Sequence, residues 1–186
     1  SLAVREGIKL LRNEEVSPDY REAVLRLSTL MFVGAKRCQT KDEGRRLAER
    51  ALSSGEALET FRSFLGAQGA DPRICDDFDL LPSPEKVEVV RAPHSGYIHT
   101  DPRALGNLAN SLANGEFGST SFDSSAGIII CPNARYGSHV EKGTPIAEVY
   151  GSARLAPPAA KSILTGPITI QDAPPPTTER FPKEVL

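Results

Sequence analysis

The chain has 186 residues, with 22 basic and 24 acidic side chains and a formal net charge of −2. This length is enough for one large domain or two small ones with a buried core. A nucleic-acid or acidic-membrane surface needs a concentrated positive face, and the longest basic run here is Arg45-Arg46, so these two function classes are disfavoured.

Membrane and redox signals are also weak. The longest apolar runs, such as GIIIC at residues 127–131, fall far short of the ~20 residues that a membrane helix needs. The N-terminus is a charged amphipathic stretch rather than a signal peptide. Cys38, Cys75 and Cys131 are widely spaced, odd in number and without metal or redox spacing. We therefore expect reduced, buried thiols in a cytoplasmic protein.

The first seventy or so residues predict helices. A helical pattern starts directly at Leu2, Ser17-Pro18 is typical of a helix start, and Thr40 with Glu43 has the form of a capping box. One stripe at three- and four-residue steps predicts a buried helix face, made of Ala23, Val24, Leu27, Leu30, Met31 and Gly34. A further helix from about Glu56 is expected to bury Leu58, Phe61, Phe64 and Leu65.

The composition changes after residue 71. An Asp-Pro pair, the run DDFD at 76–79 and LPSP at 81–84 predict a solvated linker. Strands are predicted at 87–91, 97–99, 128–131, 144–150 and 168–170, with a turn at 137–143, a helix opened by Asp101-Pro102 and a short helix near 159–164. The glycine- and serine-rich residues 114–125 predict a mobile surface loop. The prediction is an α+β fold, with a helical segment at 1–83 and a mainly β domain at 84–186.

No motif in the sequence assembles a catalytic centre by itself. The patterns GxGxxG, GxxxxGK[ST], GxSxG and HExxH are all missing. His94, His99 and His139 sit beside strand turns without the spacing of a ligand set, so we interpret them as ordinary surface histidines. The acidic run at 76–79 lacks the glycine and the distal glutamate of a calcium loop. From the residues alone, no catalytic site is predicted.

Two extended patterns cover nearly the whole chain. The first joins SLAVRE at 1–6, SSGEAL at 53–58 and FLGAQGADP at 64–72. The second joins APHSGYI at 92–98, Asp123 with AGI at 126–128, and GSHVEKGTPIA at 137–147. The first resembles the segment that follows the catalytic region in thymidine and pyrimidine-nucleoside phosphorylases, and the second resembles their C-terminal domain. The chain is therefore identified by resemblance as the C-terminal part of such an enzyme.

The resemblance implies a function for the whole protein. It implies a cytoplasmic, homodimeric pentosyltransferase of nucleotide salvage that cleaves thymidine or uridine with phosphate as co-substrate, giving the base and a (deoxy)ribose 1-phosphate. The second domain would be a barrel-sandwich of the α/β-hammerhead kind. The family's phosphate loop and its base-recognising Arg, Ser and Lys precede residue 1. The chain would thus carry no catalytic or cofactor-binding residue, would be inactive alone, and would have the N-terminal part of the same enzyme as its partner.

One metal ligand is also implied. Bacterial relatives hold a potassium ion with backbone carbonyls before the first helix and a glutamate in its first turns, which the pattern places at Glu6. The alternative is a carboxylate that complements the helix dipole and needs no ion.

Two features depart from the resemblance or leave an alternative. Residues 113–116 read ANGE where the family usually has G(A/G)GR, so Glu116 reverses the charge of the arginine and would repel phosphate. The second pattern is also similar to biotinyl and lipoyl carriers, although AEVYGS at 147–152 lacks their lysine. A non-catalytic barrel-sandwich binding module, or another phosphorylase of the same superfamily, remains the alternative.

Overall fold

The computed structural model describes residues 2–83, 86–114, 122–151 and 156–176. The chain divides into two compact units, Ser1–Ser83 and Pro84–Leu186, which are described separately. Within the described residues, no helix is both long enough and apolar enough to cross a membrane.

The first unit is helical, as predicted. Its helices are α1 (Leu2–Leu11), α2 (Pro18–Gly34), α3 (Lys41–Ser53) and α4 (Glu56–Ala67). The predicted starts are confirmed, because α2 begins at Pro18 and the Thr40 hydroxyl accepts a hydrogen bond from the Glu43 N–H at 3.2 Å. The Glu43 carboxylate reaches back to the N–H of Gln39 at 2.9 Å rather than to that of Thr40.

The core of this unit lies between α1, α2 and α3. Its buried members are Leu10, Leu25, Ala48 and Leu52. Helices α2 and α3 come close at Gly44, where an added Cβ would stand 3.0 Å from the carbonyl oxygen of Thr29. The absence of a side chain at Gly44 therefore sets the distance between the two helices.

The predicted buried faces of α2 and α4 are partly wrong. Leu27 and Met31 are 62% and 73% exposed, and Phe64 is 56% exposed, whereas Leu65 is buried as expected. Helix α3 packs on the side of α2 that carries Leu25 and Thr29 instead. A helix with apolar residues on two sides gives a periodic pattern that does not indicate which side is covered.

The predicted linker at 71–83 is wrong in this structure. It forms two 3₁₀ turns, Pro72–Cys75 and Phe78–Leu80, and Cys75 is fully buried. The Arg12 guanidinium lies 4.7 Å from the centre of the Phe78 ring, and its Nε donates to the Cys75 carbonyl at 2.6 Å. The segment is therefore an integral part of the first unit.

The second unit contains two antiparallel sheets. Its elements are β1 (Lys86–Arg91), β2 (Gly96–Thr100), α5 (Pro102–Asn114), β3 (Gly127–Ile130), β4 (His139–Val140), β5 (Pro145–Tyr150), α6 (Ala156–Ile163) and β6 (Ile168–Gln171). One sheet has the order β1-β5-β3 and the other β4-β2-β6. The predicted strands and both helices are confirmed, while the predicted turn at 137–143 contains the short strand β4.

These elements confirm the α+β fold class. The two three-stranded sheets do not close into a barrel among the described residues. One apolar core takes buried residues from both sheets and from α5 and α6, including Ile98, Leu112, Ile146, Ile163 and Ile168. The second unit is thus a two-sheet arrangement around a shared core.

Close packing of β2 and β6 depends on Gly96. Its φ is +152°, and a Cβ there would stand 2.7 Å from the Gln171 carbonyl oxygen. The backbones of β2 and β6 could not approach this closely with a side chain at that position.

The predicted mobile loop falls largely outside the described residues, which omit 115–121 and with them Glu116. The described end of the loop is anchored, because the N–H of Asp123 donates to the Ala113 carbonyl at 2.7 Å. The Asp123 carboxylate accepts hydrogen bonds from the hydroxyl and N–H of Ser125, which hold the pKa of Asp123 below its usual value.

Candidate functional site

Glu6, the predicted metal ligand, lies on α1 and is exposed. It follows the first turn of the helix, which contains no acidic residue. The exposed Glu6 carboxylate is accessible to a cation that prefers oxygen ligands.

Tyr20 of α2 is the polar neighbour of this part of α1. A Cβ on Gly7 would lie 3.7 Å from the Tyr20 hydroxyl, so the phenol passes close to the helix backbone. Burial raises the pKa of Tyr20, and the negative charge of Glu6 raises it further. Sequence reasoning missed Tyr20, since it lies on a different helix from Glu6 and only the packing of α1 on α2 brings the two together.

The described residues provide only part of a coordination sphere around Glu6. In the described part of the chain, no group of three or more His, Cys, Asp or Glu side chains is placed to hold a metal ion. One exposed carboxylate suits a hard monovalent cation as a single oxygen ligand. A complete coordination sphere would need further oxygen ligands beside Glu6.

Each of the three histidines lies close to an oxygen atom of the protein. His94 Nδ1 lies 3.1 Å from the Ser95 carbonyl oxygen, and His99 Nε2 lies 3.1 Å from that of Ala173. His139 Nδ1 lies 3.6 Å from a carboxylate oxygen of Glu141. The interpretation of these residues as ordinary histidines agrees with these contacts.

Ser95 and Glu141 connect two turns of the second unit. The Ser95 hydroxyl donates to Glu141 Oε2 at 2.7 Å and accepts from the Lys142 N–H at 3.0 Å. The His139 ring in turn packs edge-on against Tyr97, with centroids 5.0 Å apart. The serine hydroxyl is bonded to a carboxylate and a backbone amide rather than to an imidazole base, so this cluster fastens turns and does not activate a nucleophile.

The carrier alternative gains no support from β5. Ile146, Ala147 and Val149 are fully buried in the central strand of its sheet. The Tyr150 hydroxyl donates to Glu148 at 2.6 Å, and burial together with this bond raises the pKa of Tyr150 to about 12. A carrier has an exposed lysine for its cofactor at this place, whereas β5 has buried apolar side chains and a hydrogen bond between Tyr150 and Glu148.

An open groove of about 550 Å³ lies beside α2 and α3 in the first unit. Its charged lining is nearly balanced: Arg21, Arg45 and Arg50 face Glu22 and Glu49. Arg45 bonds to both glutamates, at 2.9 Å and 2.6 Å. The groove does not present the concentrated positive charge that an anion site needs.

The described residues therefore form an α+β fold in which no nucleophile, base and anion-binding groups converge. No protein-family model matches the chain. It is 34% identical over 154 residues to the pyrimidine-nucleoside phosphorylase of Bacillus subtilis and 30% identical over 154 residues to that of Geobacillus stearothermophilus. The match covers 82% of this chain and 35% of each relative.

A third relative extends the match. The pyrimidine-nucleoside phosphorylase of Staphylococcus aureus is 29% identical over 174 residues, which is 92% of this chain and 39% of that protein. The chain spans little more than a third of the length of the curated relatives that it matches. These matches confirm the resemblance: the chain is a homologue of pyrimidine-nucleoside phosphorylases, consistent with a C-terminal portion of that enzyme family.

Proposed function

We propose that the chain is part of an enzyme that cleaves thymidine or uridine with phosphate, releasing the base and a (deoxy)ribose 1-phosphate. The observation that carries this proposal is the match to several phosphorylases over most of this chain. The chain spans about a third of each relative, and we assign the activity to the whole enzyme rather than to this portion.

The proposed chemistry needs two things from the protein. Phosphate must be held against the C1′ carbon of the sugar, and the departing base must be stabilised as negative charge develops on it. In the described residues, no nucleophile, base and anion-binding groups converge. The proposed role of this chain is to complete the domains around a site formed elsewhere, with residues 1–83 in the α/β domain and 84–186 as the C-terminal domain.

Several further properties belong to the same proposal. The complete enzyme would be a cytoplasmic homodimer whose partners are its own N-terminal part, a pyrimidine nucleoside and phosphate. A potassium ion would be held partly by Glu6, for which the exposure of the carboxylate on α1 is the supporting observation. The ion would supply positive charge that holds neighbouring backbone oxygens in place.

The test compares the 186-residue chain with the complete enzyme. Each is incubated with thymidine or uridine and phosphate, base release is followed by absorbance, and the sugar phosphate by phosphorus NMR. The complete enzyme is expected to turn over only with phosphate, and the chain alone is expected to stay at background. Phosphate-dependent turnover by the pure chain would contradict an active site outside it, and a complete enzyme inactive on both nucleosides would contradict the proposed reaction.

A further inference from the structure

A second open groove of the first unit lies along α3. Its volume is about 460 Å³, which is within the range of small-molecule pockets. We call it the arginine groove, and it is lined by Arg37, Cys38, Glu43, Arg46, Leu47 and Arg50. The first two of these residues lie between α2 and α3, and the other four belong to α3. Arg50 also lines the groove described above, so the two grooves adjoin at this residue.

The members of the arginine groove that belong to α3 share one face of the helix. They follow one another at the three- and four-residue steps that join neighbours on a helix surface: Glu43, Arg46, Leu47 and Arg50. Arg46 and Arg50 are four residues apart, and like charges at this spacing destabilise a helix. Arg45 on the same helix is instead paired with Glu49, at 2.6 Å. A bound anion would remove the repulsion between Arg46 and Arg50.

The arginines of the groove also differ from the other arginines of the first unit. Each of the others donates a hydrogen bond to an oxygen atom of the protein: Arg5, Arg12, Arg21, Arg26, Arg45, Arg62 and Arg73. In the described part of the chain, no hydrogen bond or ion pair engages the side chains of Arg37, Arg46 and Arg50. The guanidinium groups without a protein partner are therefore gathered in one groove.

The charge of the lining matches a dianion. Three guanidinium groups face one carboxylate, that of Glu43, so the lining has two net positive charges. The Glu43 carboxylate already accepts a hydrogen bond from the N–H of Gln39 at 2.9 Å. A phosphate monoester carries nearly two negative charges at neutral pH, and the planar fork of arginine matches the geometry of its oxygens.

The groove also has a less polar part. Leu47 and Cys38 are half-buried in its lining, whereas Arg46 and Arg50 are exposed. The body of an organic ligand can bury apolar surface against Leu47 while its phosphate stays at the guanidinium groups. Inorganic phosphate has no such body and gains nothing from this part of the groove.

We propose that the arginine groove binds the phosphate monoester of a small organic molecule, a sugar phosphate or a nucleoside monophosphate. Arg37, Arg46 and Arg50 bind the phosphate, and Leu47 contacts the carbon skeleton. This inference does not rest on the proposed function, because the whole lining belongs to this chain and binding requires no turnover.

The experiment is isothermal titration calorimetry of the 186-residue chain at low salt with four probes. These are inorganic phosphate, ribose 5-phosphate, adenosine 5′-monophosphate (AMP) and adenosine. Adenine is not a pyrimidine, so binding of AMP is not explained by a pyrimidine-nucleoside site. We expect both monoesters to bind about 10-fold more tightly than inorganic phosphate, because their carbon skeletons also bury apolar surface. Adenosine should not bind, since it has no anion.

Three outcomes would overturn the proposal. They are no binding of either monoester at about 1 mM, adenosine binding as tightly as AMP, and inorganic phosphate binding as tightly as both monoesters. The two monoesters distinguish the source of the phosphate. Tighter binding of AMP would assign the groove to a nucleotide, and equal binding of both would assign it to a sugar phosphate. Either of these results upholds the proposal.

Substitutions in the lining locate the binding. Arg46→Gln and Arg50→Gln should each weaken the affinity for AMP by about 10-fold, because each removes charge-assisted hydrogen bonds to the phosphate. The matched control is Arg103→Gln, which removes an exposed arginine of α5 in the second unit and should leave the affinity unchanged. Full affinity in both groove variants, or an equal loss in the control, would overturn the proposal.

A variant with the opposite effect separates loss of binding from loss of folding. Glu43→Gln removes the carboxylate charge from the lining, and its amide oxygen can still accept the N–H of Gln39. It should bind AMP several-fold more tightly. Arg46→Gln and Arg50→Gln should keep the melting temperature of the unsubstituted chain, because both side chains are exposed. Weaker binding of AMP by Glu43→Gln would contradict an anion in this groove.

Discussion

Gly44 of α3 lies directly against Thr29 of α2. A Cβ on Gly44 would stand 3.0 Å from the Thr29 carbonyl oxygen and 3.2 Å from the Thr29 methyl group. Thr29 is itself buried, and its hydroxyl donates to the Leu25 carbonyl at 2.7 Å. The first neighbour of the added methyl would be helix backbone, which cannot move aside as the end of a flexible side chain can.

Gly44→Ala should therefore destabilise the chain. Overpacking costs about 1–3 kcal/mol, and the better helix propensity of alanine offsets about 1 kcal/mol of this. The expected net loss in the free energy of unfolding is about 1 kcal/mol, measured by urea denaturation. The matched control is Gly106→Ala in α5, where an added Cβ meets nothing within 4 Å and a gain of about 0.5–1 kcal/mol is expected. Equal effects at the two glycines would contradict the packing argument.

Glu22 should make stability depend on pH in the acid range. Hydrogen bonds from Arg45 and Arg26 lower the pKa of Glu22 to about 2 from its ordinary 4.5. A carboxyl group whose pKa is lower in the folded state contributes stability above about pH 4.5, and this contribution is lost as the pH falls towards 2. The Glu22 side chain is 34% exposed, so solvent screening reduces its contribution to about 1 kcal/mol.

The measurement for Glu22 is the melting temperature of Glu22→Gln and of the unsubstituted chain at pH 7 and pH 2.5. The variant should melt lower at pH 7, and the difference should shrink at pH 2.5. Glu15→Gln, at an exposed glutamate, is the control. Its melting temperature should differ little from that of the unsubstituted chain at either pH. If the difference in melting temperature between Glu22→Gln and the unsubstituted chain were the same at pH 7 and at pH 2.5, the ion pairs with Arg45 and Arg26 would add no stability.

Ser95→Ala should loosen the second unit. It removes the hydroxyl that bonds both Glu141 and the Lys142 N–H, and each ordinary hydrogen bond is worth about 0.5–1.5 kcal/mol. Because the site is exposed, a loss of about 1 kcal/mol in total is expected in thermal unfolding. Ser111→Ala is the control, since the Ser111 hydroxyl donates to the Asn107 carbonyl within its own helix and bridges no turns among the described residues. A Ser111 variant as unstable as the Ser95 variant would contradict the bridging role.

Local signals predicted most of the secondary structure. Pro18, Thr40 and Asp101 each mark a helix start that the structure confirms, because capping depends on residues within one turn. The strand β4 was missed because two residues between turns are too short for an alternating pattern to show.

The wrong predictions concern segments whose structure depends on contacts with residues far away in the sequence. The acidic run was predicted as a linker because two of its contacts come from distant parts of the chain. Phe78 contacts Arg12, which follows α1, and Asp76 pairs with Arg62 of α4. Leu27 and Met31 were predicted to be buried because periodicity reports an apolar side but not what covers it. For the candidate site, the resemblance supplied Glu6, whereas Tyr20 emerged only from the packing of α1 against α2.

The last prediction concerns Glu6 and potassium. In the complete enzyme, Glu6→Gln should weaken activation by potassium, because the amide replaces a charged oxygen ligand with a neutral one. The melting temperature should show the same effect without any substrate: potassium should stabilise the unsubstituted enzyme more than sodium does, and Glu6→Gln should narrow that gap.

The 186-residue chain should behave differently. One exposed carboxylate cannot replace the water around a potassium ion, so the melting temperature of the chain should be the same in potassium and in sodium. Glu15→Gln in the complete enzyme controls for loss of a surface charge and should leave the potassium response intact. If Glu6→Gln also left that response intact, Glu6 would be reduced to a surface carboxylate of α1 beside Tyr20, whose pKa is raised first by burial and further by the charge of Glu6.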